Sequence, residues 1–154
     1  MAKLMPYVDL CINGDIFDYE FEYLKDGKFN TNEAVNSAKR IAALFKFKKV
    51  AITLRNSISA DRNILGGILY DRESNTVALS KEYDVHIVDR VGGGDSFCGG
   101  LIYALSQGKS DKDAIEFAVA ASTLKHSIEH DFCLLSADEV NSLVSGDATG
   151  RIKR

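Results

Sequence analysis

Asp89-Arg90-Val91-Gly92-Gly93-Gly94-Asp95-Ser96-Phe97 is the stretch that decides the fold, and it continues as Cys98-Gly99-Gly100-Leu101-Ile102-Tyr103-Ala104-Leu105. Ahead of it, Asp84-Val85-His86-Ile87-Val88 alternates and is rich in β-branched residues, which predicts a strand. Behind it, Phe97, Leu101, Ala104 and Leu105 recur at helical spacing, so a helix opens near Gly94 or Asp95. The order is therefore strand, glycine loop, then a helix with an acid in its first turn. Consecutive glycines let the backbone turn tightly and bring bare N–H groups against a ligand. Added to the positive end of a helix, those donors make a site for anionic oxygens, phosphate above all.

An acid beside such a site repels what the glycines attract. Two explanations are open for Asp95. It caps the helix, a favourable place for a carboxylate, or it is a general base that takes a proton from a hydroxyl attacking the phosphate. The glycine pattern is neither a P-loop nor a dinucleotide fingerprint, because no Gly-Lys-Ser/Thr follows and the spacing is not G-x-G-x-x-G.

Asp89 to Ile102 resembles the second signature of the ribokinase-like (PfkB) carbohydrate kinases: an acid, a small-residue anion hole, the catalytic Asp and a Gly/Ala-rich helix. The variant with Arg90 and an unbroken glycine run is similar to the 2-dehydro-3-deoxygluconate kinase branch. The resemblance implies an α/β fold, a ribokinase-like three-layer αβα sandwich with a Rossmann-like, mostly parallel sheet. It also implies transfer of phosphate from ATP to a sugar-acid hydroxyl, 2-dehydro-3-deoxygluconate giving its 6-phosphate. A fructose- or ribose-type acceptor and nucleotide binding without turnover are the alternatives. Asp95 would be the base, the amides of Gly92, Gly93 and Gly94 the phosphate donors, and Mg2+ the partner of ATP. In some relatives an acid placed like Asp89 binds a monovalent cation, K+, with nearby carbonyls; otherwise Asp89 stabilises a turn. The likeness covers nearly the whole chain but only the C-terminal half of the family. The sugar-binding half, N-terminal strands and lid are expected to be missing, and residues 1–154 alone are not expected to turn over.

The chain of 154 residues is long enough for one domain with a real core, and 45% hydrophobic with 27% charged residues is ordinary for a globular protein. A net charge of −3, with no basic cluster beyond Arg151-Ile152-Lys153-Arg154, argues against nucleic acid or membrane surfaces as partners. A homo-oligomer stays open. No apolar run reaches membrane length. Cys11, Cys98 and Cys133 lack metal-like spacing, so reduced thiols in the cytoplasm are expected.

From the start, Val8 to Ile12 reads as a short strand ending at Asn13-Gly14-Asp15. Asn13 falls where the family carries Asn-x-x-acid, which places magnesium and phosphate through water; here the fourth position is Ile16, with Asp15 and Asp18 nearby. Asp18 to Gly27 is a short helix or an irregular flap. Asn30 to Glu33 offers caps for a helix whose apolar face is Ala34, Val35, Ala38, Ile41, Ala42 and Phe45. Lys48 to Leu54 is a buried strand that delivers Arg55 into a loop, where Arg55 pairs with a nucleotide phosphate or is simply solvated. Asn63–Tyr70 and Thr76–Ser80 form an edge hairpin. Asp113 to Lys125 is the next helix, and Leu124-Lys125-His126-Ser127 resembles the family's stretch near the adenine pocket, which makes Lys125 and His126 nucleotide-binding candidates. Ser136-Ala137-Asp138-Glu139 signals a last short helix.

Overall fold

The computed structural model describes residues 4–12, 24–25 and 27–146. Asn13, Asp15 and Asp18 lie outside the described residues. The chain begins with a 3-10 turn over Met5–Tyr7 and a short strand β1 (Leu10–Ile12). The strands β2 (Leu24–Lys25) and β3 (Lys28–Phe29) pair only with each other among the described residues. The side chain of Asn30 accepts the N–H of Glu33 at 3.3 Å and so opens α1 (Thr31–Phe45). Then follow β4 (Lys49–Ser57), β5 (Arg62–Asp71), β6 (Thr76–Leu79), β7 (Tyr83–His86), α2 (Gly93–Ser106), α3 (Asp111–Lys125) and α4 (Ala137–Val144). Ser110 caps α3, and Ser136 with Glu139 completes the capping box on α4 that the sequence signals.

The main sheet is mixed. β4 pairs with β1 in parallel and with β5 in antiparallel fashion along its whole length. The far side of β5 is shared end to end: β6 covers Ile68–Asp71 and β7 covers Arg62–Leu65, both antiparallel. The expectation of a mostly parallel sheet is thus corrected for the described strands. A near-continuous apolar run such as that of β4 reports burial on both faces and carries no information about direction. Of the two hairpin strands, β5 is internal among the described strands and β6 lies at an edge.

Burial on both faces gives the three layers of the expected αβα sandwich. On one face Val50, Ile52, Leu54 and Ile68 meet Ala38 and Ile41 of α1. On the other, Ala51, Leu65, Leu69 and Val85 meet Phe97 and Leu101 of α2 and Ile115 and Val119 of α3. Alternation along β4 decides which side chain goes where. The buried carboxylate of Glu116 in α3 accepts the N–H of Lys81 at 2.8 Å and the hydroxyl of Tyr83, fastening the β6–β7 connection to the helix layer.

At the sheet end away from the glycine loop, Lys49 bridges two elements. Its ammonium donates to Asp71 on β5 and, at 2.6 and 2.7 Å, to Asp111 at the start of α3. The hydrogen bond from Lys49, with the N–H of Ser74, holds the Asp71 carboxyl down at about 2. The stabilisation from Asp71 is therefore complete above the unfolded carboxylate range and is lost as pH falls through about 2. Lys49→Met should cost about 1–3 kcal/mol at neutral pH. Urea unfolding of both proteins should show that difference shrinking between roughly pH 4 and pH 2.

Candidate active site

β7 ends at the sheet edge where β4 also ends, because Arg62 pairs with His86 and Ser57 with Asn63. The crossing from β7 to α2 is pinned at each step. Ile87 N–H donates to Asp61 O at 2.7 Å, and the N–H groups of Val88 and Asp89 donate to His126 O at 2.8 and 3.2 Å. Arg90 Nη2 donates to the carbonyl of Ala60 at 2.6 Å. The Asp89 carboxylate accepts Val91 N–H and His130 N–H, each at 2.9 Å. Those backbone donors, Val91 first and then His130, hold Asp89 below the usual carboxylate range. Its visible work is to tie two loops together.

Each glycine has a different reason to be there. Gly92 is the N-cap of α2 at φ +77°, a left-handed conformation, and a Cβ on it would lie 2.7 Å from Asp131 O. A Cβ on Gly93 would lie 2.5 Å from Cε1 of His126. That ring cannot easily move, since its Nδ1–H donates to Ser122 O at 2.7 Å. A Cβ on Gly94 would meet nothing within 4 Å, so this glycine keeps space open on the outer side.

The amides divide in the same way. Gly93 N–H donates to Arg90 O at 3.4 Å and Ser96 N–H to Gly92 O at 2.9 Å. The N–H groups of Gly92, Gly94 and Asp95 have no acceptor among the described residues. Unpaired donors at a helix start, backed by its dipole, are what an anion site requires. Of the three glycine amides that the sequence singles out, that of Gly93 turns inward to Arg90 O, while those of Gly92 and Gly94 are unpaired together with that of Asp95.

The side chain of Asp95 makes no capping hydrogen bond, and α2 has no side-chain cap at all. It is exposed and lines a pocket of about 590 Å³. The pocket is bounded by α2, α3, α4 and residues 131–136; Ser96, Tyr103, Phe117, Phe132 and Val140 supply much of its wall. Its size suits a ligand such as a nucleotide. Among the described residues no group of three or more His, Cys, Asp or Glu side chains could hold a metal ion.

The other candidates fall elsewhere. Arg55 is still within β4, two residues before its end, and is exposed on the sheet face that α2 and α3 cover, outside the pocket lining. Lys125 and His126 do not line the pocket either. Both are buried beneath the glycine loop, where the Lys125 ammonium donates to Ile128 O at 3.1 Å and His130 O at 2.6 Å. The pocket walls were not foreseen. Residues 131–136 carry no periodic pattern, and Tyr103 and Phe117, with ring centroids 5.4 Å apart, sit on different helices. The one available signal was Gly99, where a Cβ would meet nothing within 4 Å; Gly100 beside it lets α3 pack closely, since a Cβ there would lie 3.2 Å from Ala118 Cα.

Residues 26–128 match the pfkB family carbohydrate kinases. The crystal structure of 2-dehydro-3-deoxygluconokinase from Thermotoga maritima is 39% identical with a TM-score of 0.81, over 94% of this chain and 43% of that one. The 2-dehydro-3-deoxygalactonokinase of Haloferax volcanii is 25% identical over 118 residues, 77% of this chain and 34% of its own length. A ribokinase structure from Thermotoga maritima, 20% identical with a TM-score of 0.64 over 94% of this chain and 45% of that one, shares the fold. The chain thus spans less than half the length of these relatives. The matched span includes the glycine loop, Asp95, α2 and α3, and the chain belongs to the pfkB family of carbohydrate kinases.

Proposed function

We propose that this chain supplies the nucleotide-binding and catalytic part of a kinase that phosphorylates a hydroxyl of a 2-dehydro-3-deoxy sugar acid, with ATP as donor. The observation that carries the proposal is Asp95: its side chain makes no cap bond, its own amide and that of Gly94 are unpaired, and it lines the pocket. With no cap bond to make, this carboxylate is available to act as the base. The acceptor class is supported by two relatives, a 2-dehydro-3-deoxygluconokinase and a 2-dehydro-3-deoxygalactonokinase.

In this proposal the amides of Gly92, Gly94 and Asp95 hold phosphate oxygens of the nucleotide, and the apolar walls of Tyr103, Phe117 and Phe132 take its base. Mg2+ comes with the nucleotide, since it is commonly held by substrate phosphates and water. Asp95 takes the proton of the acceptor hydroxyl as its oxygen bonds to the terminal phosphorus and the bond to the departing ADP oxygen breaks. Phosphoryl transfer of this kind depends on position and charge stabilisation more than on covalent help from the protein. The free thiols of Cys11, Cys98 and Cys133 suit the cytoplasm.

Gly94→Val should leave the fold intact, because a Cβ there meets nothing within 4 Å, but should weaken ATP binding. Calorimetric titration of the chain with Mg·ATP should show a loss of at least about tenfold. Unchanged affinity would remove the amides from the site. Gly93→Ala should act differently, lowering stability by about 1–3 kcal/mol as its methyl meets His126.

Asp95→Asn should retain ATP affinity in the same titration. When the chain is assayed with an acceptor-binding half such as its longer relatives carry, phosphorylation of 2-dehydro-3-deoxygluconate should slow by roughly 10²–10⁴-fold. Normal turnover by that variant would exclude Asp95 as the base.

A further inference from the structure

A monovalent cation at Asp89, which the family resemblance implies, does not fit the residues present. We propose that the ammonium of Lys125 is itself the resident cation of this corner, so that the protein takes no K+ there. Lys125 is 0% exposed, and its Nζ donates to the carbonyls of Ile128 (3.1 Å) and His130 (2.6 Å). No carboxylate lies within ion-pairing distance of it among the described residues. A buried ammonium satisfied by carbonyl oxygens is bonded as a desolvated potassium ion would be, through inward-pointing backbone dipoles.

Three further features agree. Lys125 is the last residue of α3, where the helix dipole favours a cation. Asp89 is near enough for the charge of Lys125 to help keep it ionised, while both its oxygens already accept backbone N–H groups from Val91 and His130. His130, at φ +67°, uses both backbone groups in this corner, giving its N–H to Asp89 and its carbonyl to Lys125. The carbonyls that a metal cation would need are thus occupied by a tethered one, and the acid by backbone N–H groups. A second positive charge would have to displace it or sit against it without water between them.

The inference does not depend on the kinase activity or on the acceptor, and its test uses no nucleotide. The thermal unfolding of the chain is followed while KCl replaces choline chloride at constant ionic strength. The midpoint should stay the same. A saturable rise with K+ that Na+ and choline do not produce would overturn the proposal. Lys125→Ala then removes the tethered cation and should lower the midpoint by roughly 10 °C. In that variant K+ or ammonium, but not choline, should recover part of the loss by occupying the freed carbonyls. A folded Lys125→Ala protein indifferent to all these ions would also overturn it. Lys125→Met, which keeps the apolar stem, covers the case in which the alanine variant does not fold; it should be destabilised, and wild-type stability would count against the proposal.

Discussion

The site exists because the start of α2 lies directly on the end of α3, with no room for a methyl group between them. The Gly93 backbone rests on the His126 imidazole, and that of Gly92 on Asp131 and the stem of Lys125. This close contact aims the first amides of α2 outward and holds the glycine loop at one height above the sheet. His126 anchors it twice, through its ring to Ser122 O and through its own carbonyl, which receives Val88 and Asp89. A rigid base is what a phosphate-binding loop requires, because charge stabilisation works best when the donors need not reorganise.

The elements that could be foreseen are those whose signals are local. Asn30 and Ser136 mark helix starts by their own side-chain chemistry, and both accept the hydrogen bonds expected of them. The strand–loop–helix around Gly92 is equally local. Pairing direction is not. Nothing in the composition of β5 tells that β4 fills one edge and that β6 and β7 divide the other. Arg55 shows the same limit, since a charged residue after an apolar run looks like the start of a loop when it is only the exposed position of a continuing strand.

The candidate site divides likewise. Asp95 and Gly94 were readable from their own types and spacing. The burial of Lys125 was not, for a lysine at a helix end is normally solvated, and only tertiary structure brings a carbonyl-lined corner over it. The pocket walls come from residues far apart in sequence, among them Tyr103, Phe117 and Phe132, so no single window contained them. Burial of Glu116 under the β6–β7 connection was hidden for the same reason: its partners, Lys81 and Tyr83, are more than thirty positions away.

The left-handed backbone at His130 bears on how this corner can vary over evolutionary time. Both peptide groups of that residue are used in tying the loops, and its successor Asp131 faces the pocket. Drift at position 130 is therefore confined to residues that accept a positive φ at small cost, such as Gly, Asn or another His. A β-branched residue would have to unwind the turn, and the wall of the pocket would shift with it. The side chain is thus restricted through the main chain, whose shape the loops depend on, and not through contacts of its own. Homologous chains should accordingly diverge here in chemistry while retaining one loop conformation.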